Sequence, residues 1–311
     1  MKIAVLDDYQ NVALRRADWS SLGERAEVTV FNDHVADPQS LVVRLAPFDV
    51  LCVMRERTPL PRSILEKLPR LKLIASTGAR NISIDMEAAK ERGIEVVHTG
   101  YFSDPTVEMT WALILGSARH LVAESVSVRS GGWQTAIGED LQGRTLALLG
   151  LGNVGSRVAA IGLTFGMRVI AWSQNLAPER AQSIGVQYVP KDELFRAADV
   201  LSVHLILSAR TRGLVGRDEI SLMKPTARLI NTSRGPIVAE AALIEALGEG
   251  RIAGAALDVY DQEPLPATHP YRTMANVLAT PHIGYVSENL YRTFYGDVVA
   301  NLKRWLAAQV G

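Results

Sequence analysis

Apolar and polar positions alternate along this chain in two separate series. In the first, short apolar runs at Ile3–Leu6, Val28–Phe31, Val50–Met54, Leu73–Ser76 and Glu95–His98 predict strands, and stretches such as Pro38–Leu45 and Ile64–Leu68 predict helices between them. The second series runs through Thr145–Leu149, Met167–Trp172, Val186–Val189, Val200–Leu205, Arg228–Asn231, Ala253–Leu257 and Val277–Ala279. Such β-α alternation predicts parallel sheets covered by helices. The second series alone holds enough strands for a complete doubly wound nucleotide-binding sheet. Between the two, a longer helix is predicted from Pro105 to about Leu121, with Asp104 as its N-cap. A turn-rich interval containing Gly131-Gly132-Trp133 and Gly138 follows, and Val286–Ala308 reads as a further helix.

Length and composition narrow the class. The 311 residues exceed what one hydrophobic core usually fills, roughly 250–300 residues, so two domains are expected. Lys plus Arg and Asp plus Glu are 33 each, which leaves no net charge to draw in nucleic acid over a broad surface. With 48% hydrophobic and 21% charged residues the chain reads as a soluble globular protein, neither disordered nor fibrous. No apolar run approaches the roughly 18 residues of a membrane span, and the opening turns acidic at Asp7 and Asp8 instead of continuing as a signal peptide. A cytoplasmic location is the expectation. Cys52 is the single cysteine, so a disulfide is excluded within the chain, a cysteine zinc site is not expected, and no metal is assigned.

Three groups of residues carry candidate chemistry. Gly150-Leu151-Gly152-Asn153-Val154-Gly155 follows the run Leu146–Leu149 and opens the helix-like Ser156–Phe165. In that setting the first glycine makes the turn, the second lets backbone approach a pyrophosphate, and the third lets helix and strand pack closely. A ligand-free turn or an S-adenosylmethionine site are the competing readings. At the end of the next strand, Ser173, Gln174 and Asn175 stand where an NAD site usually carries an acid for the ribose. Without that carboxylate a 2′-phosphate is not repelled, which tilts the expectation slightly toward NADP. The nearest cation is Arg180. Arg234, Glu263 and His282 each follow a predicted strand and together supply an anion clamp, an orienting acid and a proton donor, although each alone also reads as an ordinary loop residue.

The order of motifs resembles the D-isomer-specific 2-hydroxyacid dehydrogenases over nearly the whole chain. The resemblance rests on Gly150–Gly155, Met223-Lys224-Pro225, Asn231–Pro236, Gly254–Val259, Glu263-Pro264-Leu265 and Thr280–Gly284. It implies a Rossmann-type cofactor domain over residues 100–282 and a smaller flavodoxin-like substrate domain over 1–99 and 283–311, with a substrate cleft and a hinge between them. It implies that Arg234, Glu263 and His282 form a catalytic trio acting on a small 2-oxo or 2-hydroxy acid with NAD(P). Further cofactor contacts are implied at His204, Thr211, Thr232 and Asp258, with structural capping the other role open to Asp258. Substrate contacts are implied in Ser76–Asn81, at Thr77 and Gly78. Arg80 departs from the usual glycine there, and either Arg80 or Asn81 is expected to reach substrate, with a solvated loop charge the alternative for Arg80. Tyr285 and Tyr291 read as core or as an aromatic wall. A homodimer through the cofactor domain is implied. A dinucleotide-sensing, corepressor-like protein on the same fold is the rival reading.

Overall fold

The computed structural model describes residues 1–24 and 26–309. The chain divides into two compact units, one of Met1–Phe102 with Val286–Gly311 and one of Ser103–Tyr285. Both divisions fall slightly further along the chain than the boundaries expected from sequence.

The first unit holds a five-stranded sheet of β1 (Lys2–Val5), β2 (Glu27–Val30), β3 (Val50–Val53), β4 (Leu73–Ser76) and β5 (Glu95–His98) in the order β2-β1-β3-β4-β5. Every pairing is parallel. This flavodoxin-type order has its switch point between β1 and β3. All residues of β3 and β4 are buried, as expected of strands covered on both faces. Cys52 lies in β3, and burial pushes its thiol up to about 12, which makes it an inert core group. The long helix Glu288–Ala308 belongs to this unit. Its buried stripe of Leu290, Tyr291, Phe294, Tyr295, Val298, Leu302 and Trp305 recurs at three- and four-residue spacing. Ser287 caps it by accepting from Leu290 N. Tyr291 is core, its ring set edge-on to Tyr295.

The second unit holds a seven-stranded sheet of β6 (Thr145–Leu149), β7 (Arg168–Trp172), β8 (Gln187–Tyr188), β9 (Val200–Val203), β10 (Arg228–Asn231), β11 (Gly254–Leu257) and β12 (Val277–Ala279). The order is β12-β11-β10-β9-β6-β7-β8, again all parallel. That is the doubly wound nucleotide-binding order with one strand added, and its switch point falls between β6 and β9.

Two helical expectations need correction. The helix after the first sheet runs Asp104–Ala118, so Ser103 is its N-cap and Asp104 its first residue. Asp104 pairs with Arg157 at 2.6 Å instead of capping. The helix stops at Ala118 because His120 takes a left-handed φ of 53°, and a second helix, Leu121–Arg129, occupies the start of the interval expected to be turns. No described helix is long and apolar enough to cross a membrane.

Candidate active site

Arg234, Glu263 and His282 leave the carboxyl ends of β10, β11 and β12, three neighbours in the second sheet. Parallel neighbours lie about 4.8 Å apart, so the topology gathers their loops on one edge. Asn231 folds the first loop back on itself: its Oδ1 accepts from Ser233 N and its Nδ2 donates to Arg234 O, both at 3.0 Å. The Arg234 guanidinium donates to Ser233 O at 2.7 Å. Gly235 then lies so close to Tyr260 that a Cβ would overlap the tyrosine's carbonyl, which docks the Arg234 loop on the loop that carries Glu263.

Tyr260, which the sequence reading passed over, organises that second loop. Its N donates to Glu263 Oε1 at 2.9 Å, and its hydroxyl donates to Leu257 O and Thr280 O. The other carboxylate oxygen, Glu263 Oε2, lies 2.5 Å from His282 Nδ1. With Nδ1 held there, Nε2 is the ring nitrogen able to exchange a proton with another molecule. The imidazole is 19% exposed and sits edge-on to Tyr285, with centroids 5.3 Å apart. His282 has a left-handed φ of 52°. Asp258 holds the turn in that shape: its Oδ1 accepts from Thr280 Oγ1 at 2.6 Å and Ile283 N at 2.9 Å, and its Oδ2 accepts from Gly284 N at 2.7 Å. Burial raises the Asp258 pKa against those bonds. Its carboxylate is thus committed to the histidine turn.

The glycine turn after β6 fits a dinucleotide. Gly150 has φ 109° and packs on the His204 carbonyl, and a Cβ at Gly155 would overlap the Gly150 oxygen. A Cβ at Gly152, by contrast, would meet nothing within 4 Å. The helix Asn153–Thr164 begins there without a side-chain cap. The amides of Asn153, Val154 and Gly155 donate to no acceptor among the described residues, which leaves three N–H groups at a helix start for phosphate oxygens. The Asn153 side chain is tied to Ser103, so only its backbone serves that role. His204 bonds Ser202 Oγ at 2.9 Å, and burial pushes its imidazole down to about 4, so it is neutral at pH 7. At the end of β7, Ser173 is half-buried and Gln174 exposed, with no acid beside either in the sequence, while the exposed Arg180 directly follows Glu179. Thr211 spends its hydroxyl on Ile206 O and Ser208 N, and Thr232 Oγ1 lies 2.8 Å from Thr110 Oγ1, so both side chains serve the protein itself.

In the first unit, the loop after β4 differs from expectation. Thr77 N donates to Val53 O and Gly78 N to Thr99 Oγ1 at 2.7 Å. Asn81 is buried, with Nδ2 donating to Arg55 O and Ser76 Oγ and Oδ1 accepting from Ser83. Asn81 therefore holds the loop, and the expectation of an outward-reaching side chain narrows to the exposed Arg80. The backbone amides of Ala79 and Arg80 donate to no acceptor among the described residues and stand ready for an anion.

Comparison with known proteins agrees with this construction. The family described as D-isomer specific 2-hydroxyacid dehydrogenase, NAD binding domain, matches residues 111–284. A glyoxylate reductase of Aeropyrum pernix is 44% identical over 261 residues, 77% of this chain and 78% of its own. A hydroxypyruvate reductase of Thermotoga maritima is 37% identical over 85% of this chain and 86% of its own. The crystal structure of a phosphoglycerate oxidoreductase from Vibrio cholerae superposes with a TM-score of 0.94 at 38% identity, covering 99% of both chains. A nicotinamide-dinucleotide turn, a parallel sheet of this order and these matches lead to one assignment: the chain belongs to the D-isomer specific 2-hydroxyacid dehydrogenase family of oxidoreductases.

Proposed function

We propose that this protein reduces a small 2-oxo acid to its D-2-hydroxy acid with NAD(P)H, and catalyses the reverse oxidation. The observation that carries this reading is the Glu263–His282 pair, set on the sheet edge that also presents Arg234. When bound along the Gly150–Gly155 turn, the cofactor supplies the hydride that adds to the carbonyl carbon of the acid. As that bond forms, the carbonyl oxygen gains charge and takes a proton from His282 Nε2, so an alcohol results. Glu263 keeps the ring oriented and offsets its positive charge before the transfer. Arg234 supplies a planar cation for the substrate's carboxylate or its polarised carbonyl. The free amides of Ala79 and Arg80 are suited to a carboxylate.

The finer assignments belong to the same proposal. Glyoxylate and hydroxypyruvate, the acids named for the relatives, are the first substrates to try. NADPH is the preferred donor, because Ser173 and Gln174 offer hydrogen-bond donors and no repelling acid. The protein works as a homodimer through the helix Leu121–Arg129 and the segment after it, where Leu121, Val122, Val126, Val128, Trp133 and Ile137 are exposed apolar side chains. Its single buried thiol suits a reducing, cytoplasmic compartment.

The decisive assay follows NADH and NADPH absorbance separately against a panel of 2-oxo acids. Decay with at least one acid is expected, and His282→Ala loses about 10²–10⁴ of the rate. Tight NAD(P)H binding with no acid turned over would replace catalysis with dinucleotide sensing.

A further inference from the structure

The stretch that carries Glu263 is held by very little of its own. None of residues 261–268 is buried, and Leu265 packs on the core from a half-buried position. No backbone N–H from 261 to 268 finds an acceptor among the described residues, and Pro264 and Pro266 have none to offer. Such a segment can be fixed only through its side chains and its carbonyl oxygens.

One side chain takes hold of those oxygens. Arg272 Nε donates to Pro266 O at 2.8 Å, and Arg272 Nη2 donates to Leu265 O at 2.6 Å. The planar fork spans two successive carbonyls just beyond Glu263, a geometry that an ammonium does not reproduce. His269 N gives Pro266 O a second donor at 3.1 Å. Arg272 has no acidic partner among the described residues, so its donors serve the backbone alone. The arginine is itself anchored. It ends a short 3₁₀ turn, Pro270–Arg272, which His269 caps by accepting from Tyr271 N on Nδ1. Tyr271 is buried, its ring centroid 6.3 Å from that of Tyr260. Glu240 Oε1 stands 3.3 Å from the other ring nitrogen of His269, and Glu240 opens the helix that follows the Arg234 loop. Arg272 therefore ties the Glu263 stretch to the frame that carries Arg234. The guanidinium is exposed, and fixing so long a side chain there costs conformational entropy that a loop free to move would not require.

We infer that Arg272 is a positioning residue for the reaction: it fixes the backbone behind Glu263 and, through Glu263, the orientation of the His282 ring. The inference rests on the reductase reading proposed above. The test is a double-mutant cycle with Glu263, read by steady-state kinetics and by NADPH titration. Arg272→Met is expected to lower kcat about tenfold with the best 2-oxo acid and to leave the Kd for NADPH within about twofold of wild type. In Glu263→Ala, where there is no carboxylate left to position, the same substitution removes less than about twofold further. An equal fall in both backgrounds would make Arg272 a general loop brace and overturn the inference. Arg272→Lys keeps the charge without the fork, so it is expected to lose nearly as much as Arg272→Met. Full activity in the lysine variant would overturn the inference as well, and that variant decides alone should Arg272→Met not fold. If wild type reduces no 2-oxo acid, the reductase reading falls, and the ring 15N resonances of His282 test the grip without turnover. They are expected to move in Arg272→Met toward their positions in Glu263→Ala, and unchanged resonances overturn the inference.

Discussion

The two units each carry a glycine turn at the carboxyl edge of a parallel sheet, and they use the missing Cβ in opposite ways. At Gly152 the space is open, and the three amides that follow it start a helix and donate to no acceptor among the described residues. At Gly78 the space is filled from within by the Arg55 guanidinium. A glycine in sequence announces that something approaches the backbone closely. It does not announce whether the approaching group is a ligand or the protein's own side chain.

Substitutions at these two glycines break the comparison in different ways. The largest effect is expected from Gly152→Asp. A carboxylate placed in the open space beside the phosphate amides weakens dinucleotide binding by about 100-fold or more at low salt, read by fluorescence titration with NADPH. Because nothing of the protein occupies that space, the thermal midpoint stays within a few degrees of wild type. A collapse in Tm with unchanged affinity would show that the space belongs to the fold. Next comes Gly78→Ala, where φ 83° and the overlap with Arg55 act together. It costs about 1–3 kcal/mol in urea unfolding. Adding Arg55→Ala removes the overlap and leaves the backbone strain, so the double variant loses less than the sum of the two single ones. Strict additivity would mean that the guanidinium does not press on Gly78. The most gradual effect, spread over the acid range, concerns His204, which packs against the turn at Gly150 and Gly155. Its folded pKa of about 4 lies below the unfolded value near 6.5, so the unfolded chain binds the extra proton between those limits. Stability is therefore complete above pH 6.5 and declines as pH falls toward 4, with a slope of at most about 1.4 kcal/mol per pH unit from this group. His204→Asn flattens that decline in a series of thermal melts, and an unchanged slope would assign the acid sensitivity to other groups.

Much of this architecture was legible because its signals are local. Strands buried on both faces appear as short apolar runs, and the glycines of Gly150–Gly155 stand together with a strand before them and a helix after. The family resemblance lined up Arg234, Glu263 and His282, and the strand order explains why loops far apart in sequence meet on one edge. What stayed hidden depends on partners distant in the chain or on surfaces that escape periodicity. The helix Leu121–Arg129 buries none of its residues, so its apolar positions trace no inward face. Its start after a left-handed His120 carries no glycine to mark it. Arg55 likewise occupies a left-handed conformation, φ 51°, that sequence patterns reserve for glycine or asparagine, and its bond to Asn81 links residues that no short motif spans. Tyr260 was invisible for a different reason: its contribution to Glu263 is a backbone N–H, which any residue could supply.

The helix Glu288–Ala308 gives the chain a temporal asymmetry. The second unit is one uninterrupted segment and can close its core as soon as Tyr285 has left the ribosome. The first unit is translated earlier yet cannot bury Tyr291, Phe294, Tyr295, Leu302 and Trp305 until its missing helix emerges behind the whole of the second. The older half of the protein thus waits, with apolar surface uncovered, for the younger half to be made. A slow stretch of synthesis before the final helix would lengthen that exposure, and a chaperone that holds the nascent chain would find its binding surface on the unit made first.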